Sequence, residues 1–368
     1  MKFSVFHPFP TYNDIPGFWP TPAKYARQPG VVTDGLAKAI EFAKLADQVG
    51  FDAVAVAEHH YSKLQLSPNP VVAGAIIAPY LERAELNLLG LTLPLLNPVR
   101  AAEEIGMLNA LMKGRLLVGF FRGTPNELFT YGTNPYESRE VFEEAVELIS
   151  AIFREPEPFA WLGRHYDYRT VSVWPQWDEA TKPKFLSAAT SPQSLDVAAR
   201  NRFIAGFSFA PQPAIAQLAA AFKQNAATYG WEPQQDDMLY RCFALVAETD
   251  EKAEEIYQAT GYGNMGNLFT PRNLEAVMAI GKGMAGIPAN VEVPSRPPSF
   301  PNKPIFFGSP ETVAAQVASF VNETGVGRIE LTINDAQLPY ADAIKSLTLF
   351  GNEVIPSVRE QVTAPVAA

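Results

Sequence analysis

The sequence has 368 residues, of which 47% are hydrophobic and 18% charged, so it can bury a large core and is not a disordered chain. Its 29 Lys and Arg against 39 Asp and Glu leave a net charge of −10, with no basic block, which argues against nucleic acid or an anionic membrane as the main partner. The single cysteine, Cys242, excludes a disulfide scaffold and a thiolate zinc cluster and fits a reducing compartment.

In chain order, the first element is a buried strand over Lys2–Phe6. Met1 to Pro8 holds no long apolar run and no cleavage signal, and the longest charge-free apolar stretch, Val71 to Leu81, is too short to span a bilayer. A soluble cytoplasmic enzyme is therefore expected. Asp34 is placed to cap a helix that carries Leu36, Ile40 and Ala43 on one face and ends at Gly50. Strands follow at Ala53–Ala57 and Leu86–Leu93, and Pro98 opens a helix that ends near Gly114. A strand at Arg115–Phe120 precedes a helix begun by Ser138, with Val141, Ala145, Leu148 and Ile152 in register. Further strands read at Lys184–Ala188, Phe203–Phe209, Leu239–Ala247 and Arg328–Ile333. Ser309 caps a helix with Pro310 at its first position, Val313, Val317 and Phe320 on its inner face, and Gly325 at its end.

Several strands are nearly continuous apolar runs, as parallel strands covered on both faces require. Eight of them alternating with helices predict an α/β fold, a (β/α)8 TIM barrel forming one domain over residues 1–368. A doubly wound open sheet is the rival, but no Gly-x-Gly-x-x-Gly follows a strand. Two connections exceed a plain barrel. Residues 154–183 form an aromatic excursion with Trp161, Tyr166 and Trp174, readable as a hairpin. Residues 248–304 hold a helix and then a Gly- and Pro-rich stretch with Tyr262, Met265 and Phe269, readable as an active-site lid.

A barrel of this kind carries its site at the C-terminal ends of the strands. After the second strand comes Glu58-His59-His60. A capped strand end is the plain alternative; metal ligation and acid–base work are the functional ones. With only His7, His59, His60 and His165 in the chain, too few histidines remain for a barrel metallohydrolase, and no metal is assigned. Arg122 follows the fourth strand and offers a planar donor fork to a phosphate. Thr190, Ser191 and Ser194 start a helix after the fifth, where free amides and hydroxyls suit an anion. Arg139 opens the preceding helix, a place that disfavours a cation unless an anion is near. Together these residues suit a phosphorylated planar cofactor, with FMN as the economical choice.

The stretches Gly50-Phe-Asp-Ala-Val-Ala-Val-Ala-Glu58-His59-His60, Asn69-Pro70, Leu95-Leu-Asn-Pro98-Val-Arg100, Met112-Lys-Gly114-Arg115, Arg122-Gly123, Tyr131-Gly132-Thr133, Ser138-Arg139 and Gly308-Ser309-Pro310-Glu311 occur in an order that resembles the bacterial luciferase-like flavin monooxygenase superfamily. The resemblance implies a barrel that takes reduced FMN from a separate flavin reductase, adds molecular oxygen at the flavin C4a position, and uses the resulting hydroperoxide on a small organic substrate, which the aromatic residues named above suggest is apolar. It assigns His59 to the flavin intermediate and its proton traffic, with Glu58 and His60 in support. Arg122, Arg139, Ser191 and Ser194 fall at phosphate positions, and Gly90 and Leu91 where the third strand passes the flavin ring. The family often has a non-proline cis peptide there; the spacing to Pro94 leaves that bond unassigned. Luciferase carries a cysteine where this sequence has Phe121, a departure that argues against light emission. The resemblance also implies a homodimer packed through helices near the second and third strands. A deazaflavin (F420)-dependent oxidoreductase and a non-catalytic flavin-binding protein are the alternatives on the same fold.

Overall fold

The computed structural model describes residues 1–7, 9–12, 23–61, 66–124, 127–128, 131–134, 136–263, 304–334 and 337–363. Its eleven strands are β1 (Lys2–Phe6), β2 (Ala53–Val56), β3 (Glu85–Thr92), β4 (Leu116–Phe121), β5 (Phe159–Leu162), β6 (Asp167–Val171), β7 (Lys184–Ala188), β8 (Ile204–Ser208), β9 (Met238–Val246), β10 (Phe306–Gly308) and β11 (Arg328–Thr332). Eight parallel strands close on themselves in the order β1-β2-β3-β4-β7-β8-β9-β11, with helices between them. This is the (β/α)8 barrel that the alternation of strands and helices predicts, and all eight expected strands are present to within one or two residues. β10 is an addition: three residues that pair with the outer half of β9.

Two cores follow from the alternation of side chains along each strand. Phe6, Ala55, Ala57, Leu89, Leu117, Leu186, Ile204 and Leu239 fill the barrel interior. A larger core, including Phe3, Val5, Val54, Leu88, Val118, Ile329 and Leu331, lies between strands and helices. The helices are α1 (Val31–Gln48), α2 (Pro70–Ile77), α3 (Pro98–Met112), α4 (Ser138–Ile152), α5 (Pro192–Arg200), α6 (Gln212–Thr228), α7 (Asp250–Thr260), α8 (Pro310–Thr324), α9 (Tyr340–Leu349) and α10 (Ile355–Thr363).

Most termini are made as the sequence dictates. Asn97 and Ser309 accept backbone N–H bonds at the starts of α3 and α8. Gly325 ends α8 in the left-handed region that glycine adopts without penalty. One cap differs. Asp34 lies in the first turn of α1, and Gly30, with φ of 82°, takes the cap position. An acidic residue in the first turn still favours the helix through its dipole.

The excursion at 154–183 is an antiparallel hairpin of β5 and β6. It joins the end of α4 to the start of β7 and folds back along α4. Glu144 clamps its turn, accepting from Trp161 Nε1 and from the amides of Arg164, His165 and Tyr166. No described helix is long and apolar enough to cross a membrane.

Candidate functional site

β2 runs apolar to Ala57 and then delivers Glu58, His59 and His60 at the mouth of the barrel. The two histidines have different surroundings. His60 is buried: its Nε2 lies 3.1 Å from Glu58 Oε1 and its Nδ1 3.0 Å from the Tyr131 hydroxyl. Glu58 uses its other oxygen to accept the Thr92 amide at 3.0 Å, which ties β2 to β3. His59 is about one-third exposed, and its Nδ1 lies 2.8 Å from Glu127 Oε1. Glu127 Oε2 accepts from both the amide and the hydroxyl of Thr124, each at 2.9 Å. Burial pushes the Glu127 carboxyl up. The bond to and charge of His59, with the bonds from Thr124, outweigh that and hold it below its usual range. The arrangement fixes Nδ1 of His59 on a carboxylate and leaves Nε2 for a proton partner.

Glu127 is not among the residues that the sequence reading singled out. A signal was present: Thr124-x-x-Glu127 is a capping-box pattern. Here the same glutamate both receives Thr124 and holds His59.

Arg122 leaves the end of β4 exposed at the mouth, with no hydrogen bond or ion pair to any described residue. Burial, and then the charge of nearby Arg139, lower its pKa. Two arginines so placed repel unless an anion joins them. Arg139 reaches Glu143 only at 4.0 Å. Next to β4, β7 leads into Thr190 and Ser191, and Ser191 caps α5. Ser194 is already engaged: its Oγ accepts the amides of Thr190 and Ser191 and lies 3.0 Å from Ser191 Oγ. Its hydroxyl therefore has a structural role in a capping box, which the sequence reading did not provide for.

The cis peptide left unassigned from the sequence is present, between Leu89 and Gly90. The register of β3 against β4 shifts at the same place. A Cβ on Gly90 would stand 2.2 Å from the Phe121 ring, so glycine is required there. Leu91 packs into the outer core, and only its backbone faces the barrel. Phe9, Tyr61 and Phe209, just past β1, β2 and β8, have positive φ between 55° and 58°, and Lys113 and Arg202, before β4 and β8 at the opposite end, have 52° and 54°.

The aromatic residues expected at the substrate separate. Tyr262 is fully buried, donates its hydroxyl to the Thr332 carbonyl and meets the Phe243 ring edge to face. Trp161 lies on the hairpin beside α4, and Trp174 is 80% exposed just before a cis proline on the same connection. Neither makes a contact with Glu58, His59 or His60. That connection leads away from the mouth because it joins a helix end to a strand start. Met265 and Phe269 lie outside the described residues, as does most of the 248–304 stretch beyond α7 and Tyr262.

A profile described as "Luciferase-like monooxygenase" matches residues 3–328. The chain belongs to the luciferase-like monooxygenase family. Among curated relatives of this family member is the alkanal monooxygenase alpha chain of Photorhabdus luminescens, 32% identical over 111 residues, a match that spans 30% of this chain and only 31% of that one. The alkanal monooxygenase alpha chain of Photobacterium leiognathi is 23% identical over 331 residues, covering 86% of this chain and 91% of that one. Among solved structures, monooxygenase RslO1 from Streptomyces bottropensis superposes with a TM-score of 0.76 at 22% identity, covering 97% and 99% of the two chains. The oxygenating constituent of 3,6-diketocamphane monooxygenase from Pseudomonas putida, in complex with FMN, gives 0.72 at 20% identity, covering 97% and 98%. An F420-dependent secondary alcohol dehydrogenase gives 0.66 at 15% identity, covering 97% and 99%.

Proposed function

We propose that this family member is a two-component, FMN- and oxygen-dependent monooxygenase acting on a small organic substrate, supplied with reduced FMN by a separate reductase. The observation that carries the reading is Arg122, an exposed guanidinium without a partner among the described residues beside Arg139, at the end of β4 and next to the capped start of α5. A phosphate is the group that satisfies both guanidinium ions at once. Arg122 and Arg139 would hold it, with the α5 start alongside.

Bound reduced FMN supplies the electrons for oxygen activation. His59 holds or moves a proton at Nε2, while Glu127 fixes the ring through Nδ1. The Glu58–His60–Tyr131 chain braces the same loop and keeps β2 and β3 in register.

The proposal includes a homodimer. The outer faces of α2 and α3, which pack on each other, leave Val72, Met107 and Leu111 between 50% and 66% exposed. Exposed apolar side chains on two neighbouring helices suit burial against a second copy.

The test pairs the protein with an NADH-dependent flavin reductase and follows substrate-dependent oxygenated product by mass spectrometry. Product that carries label from 18O2 and needs FMN supports the reading. Oxidation of a secondary alcohol with reduced F420 as the coproduct, and no label uptake, replaces it with the deazaflavin alternative.

A further inference from the structure

One cation sits inside the barrel, away from the phosphate arginines. Arg241 on β9 alternates with Leu239, which lies in the interior cluster, so it points inward. Its Nε donates to Glu330 Oε1 at 2.6 Å, and Glu330, on adjacent β11, is fully buried. Its guanidinium carbon lies 3.7 Å from the centre of the inward-facing Phe6 ring. The arginine is spent only at Nε. Its Nη2 is buried with no partner among the described residues. Two residues along β11, Thr332 Oγ1 is also buried without a partner. Leu239 and the ion-paired Arg328 lie one layer towards the floor, and Phe6 and Thr332 lie one layer towards the mouth. Buried donors in this state are rare and call for an acceptor.

We propose that Arg241, with Thr332 above it, anchors the substrate at the base of the mouth by its oxygen, and that the site prefers an uncharged acceptor to an anion. Glu330 sets that preference. The Arg241–Glu330 pair sums to zero charge, so an anion brought to Nη2 meets the Glu330 carboxylate in a low-dielectric interior. A neutral oxygen meets only the unsatisfied N–H and O–H groups. The Phe6 face fixes the plane of the guanidinium and thus the direction of its donors. The inference rests on the monooxygenase reading for the reaction, but its binding geometry is independent of flavin.

The experiment uses three probes on one ring: cyclohexanone, cyclohexanecarboxylate and methylcyclohexane. Their binding to the full chain is measured by calorimetry, with and without FMN. The wild type is expected to bind the ketone at least tenfold tighter than the carboxylate and the hydrocarbon. Glu330→Gln keeps the shape and leaves Arg241 uncompensated, and it reverses the order of ketone and carboxylate. Arg241→Met strands a buried carboxylate, so the double variant Arg241→Met/Glu330→Leu is the control that folds without it; it loses the ketone preference. A wild type with no ketone preference, or a preference that survives in the double variant, overturns the proposal. An FMN titration of the same proteins separates the two readings. If FMN does not bind and the Arg241-dependent preference persists, the flavin reading fails and the anchoring site stands. If FMN binds and the preference is missing, the anchoring site alone fails.

Discussion

The two ends of the barrel treat charge in opposite ways. At the N-terminal floor charges pair with one another. Glu85 receives Lys2, Lys184 and Arg328, and Arg328 also pairs with Asp236 at 3.3 Å. Asp52 accepts two bonds from Arg359, and Asp47 accepts the amides of Glu82, Arg83 and Ala84. At the C-terminal mouth Arg122 has no partner among the described residues, and Arg241 and Thr332 keep unspent donors. The floor is where the chain stabilises itself; the mouth is where it keeps capacity for something else.

The largest effect is expected at the mouth. His59→Ala should retain FMN binding while product formation falls by roughly 100- to 10,000-fold, the usual contribution of a placed acid–base group. Turnover and an FMN titration on the same preparation check it, and unchanged turnover removes His59 from the mechanism. Glu127→Gln keeps the shape beside His59 but loses the charge, so a smaller loss, about tenfold, and a shifted pH–rate profile are expected. An unmoved profile would leave Glu127 a purely structural partner.

Arg122→Ala should weaken FMN by about 2 kcal/mol, roughly 30-fold, without lowering the unfolding midpoint. At the floor the reverse is expected. Arg328→Met breaks a buried pair and should cost about 3 kcal/mol of stability while FMN affinity stays put. Denaturant curves and flavin titrations on both variants form a two-by-two comparison. If each variant moves both quantities alike, the division between floor and mouth is wrong.

Acid should separate the ends more gently. His7, just past β1, is buried against Phe42, and burial pulls its pKa to about 3 from an ordinary 6.5. The unfolded chain binds a proton there that the folded chain refuses, so stability falls as pH drops from 6.5 towards 3, by at most about 1.4 kcal/mol per pH unit. For Glu85, burial pushes up, but Lys2, Lys184 and Arg328 together hold the carboxyl near 2. Its contribution is whole above pH 4.5 and is lost only as pH falls through 2. Hydrogen exchange at pH 5.5 should therefore show protection lost first around β1 and α1 at the mouth end, with the floor ends of β3 and β11 unchanged. His7→Phe should flatten that response.

The barrel was legible because parallel strands covered on both faces leave long apolar runs, as Leu116–Phe121 and Ile204–Ser208 do. Glu58-His59-His60 and Arg122 were legible because a polar residue directly after such a run has one place to go. Glu127 and Arg241 were not. Glu127 reaches His59 from 68 positions away along the chain, and Arg241 reaches Glu330 from 89. Only closure of the barrel brings such pairs together. The cis bond at Leu89–Gly90 left no pattern in the residue types around it. Trp161 and Trp174 show the opposite error: composition marked them as pocket-forming, but the connection that carries them lies along α4. β10 is too short to announce itself by alternation.

The central claim is that the mouth serves reduced FMN and oxygen. Its most direct test is to mix the purified protein anaerobically with reduced FMN, admit oxygen in a stopped-flow cell, and follow the return of oxidised-flavin absorbance. The account predicts a reoxidation clearly slower than that of free reduced FMN, and a return to the free rate in Arg122→Ala at limiting protein. Reoxidation at the free-flavin rate for the wild type, at protein concentrations well above that of flavin, would contradict it.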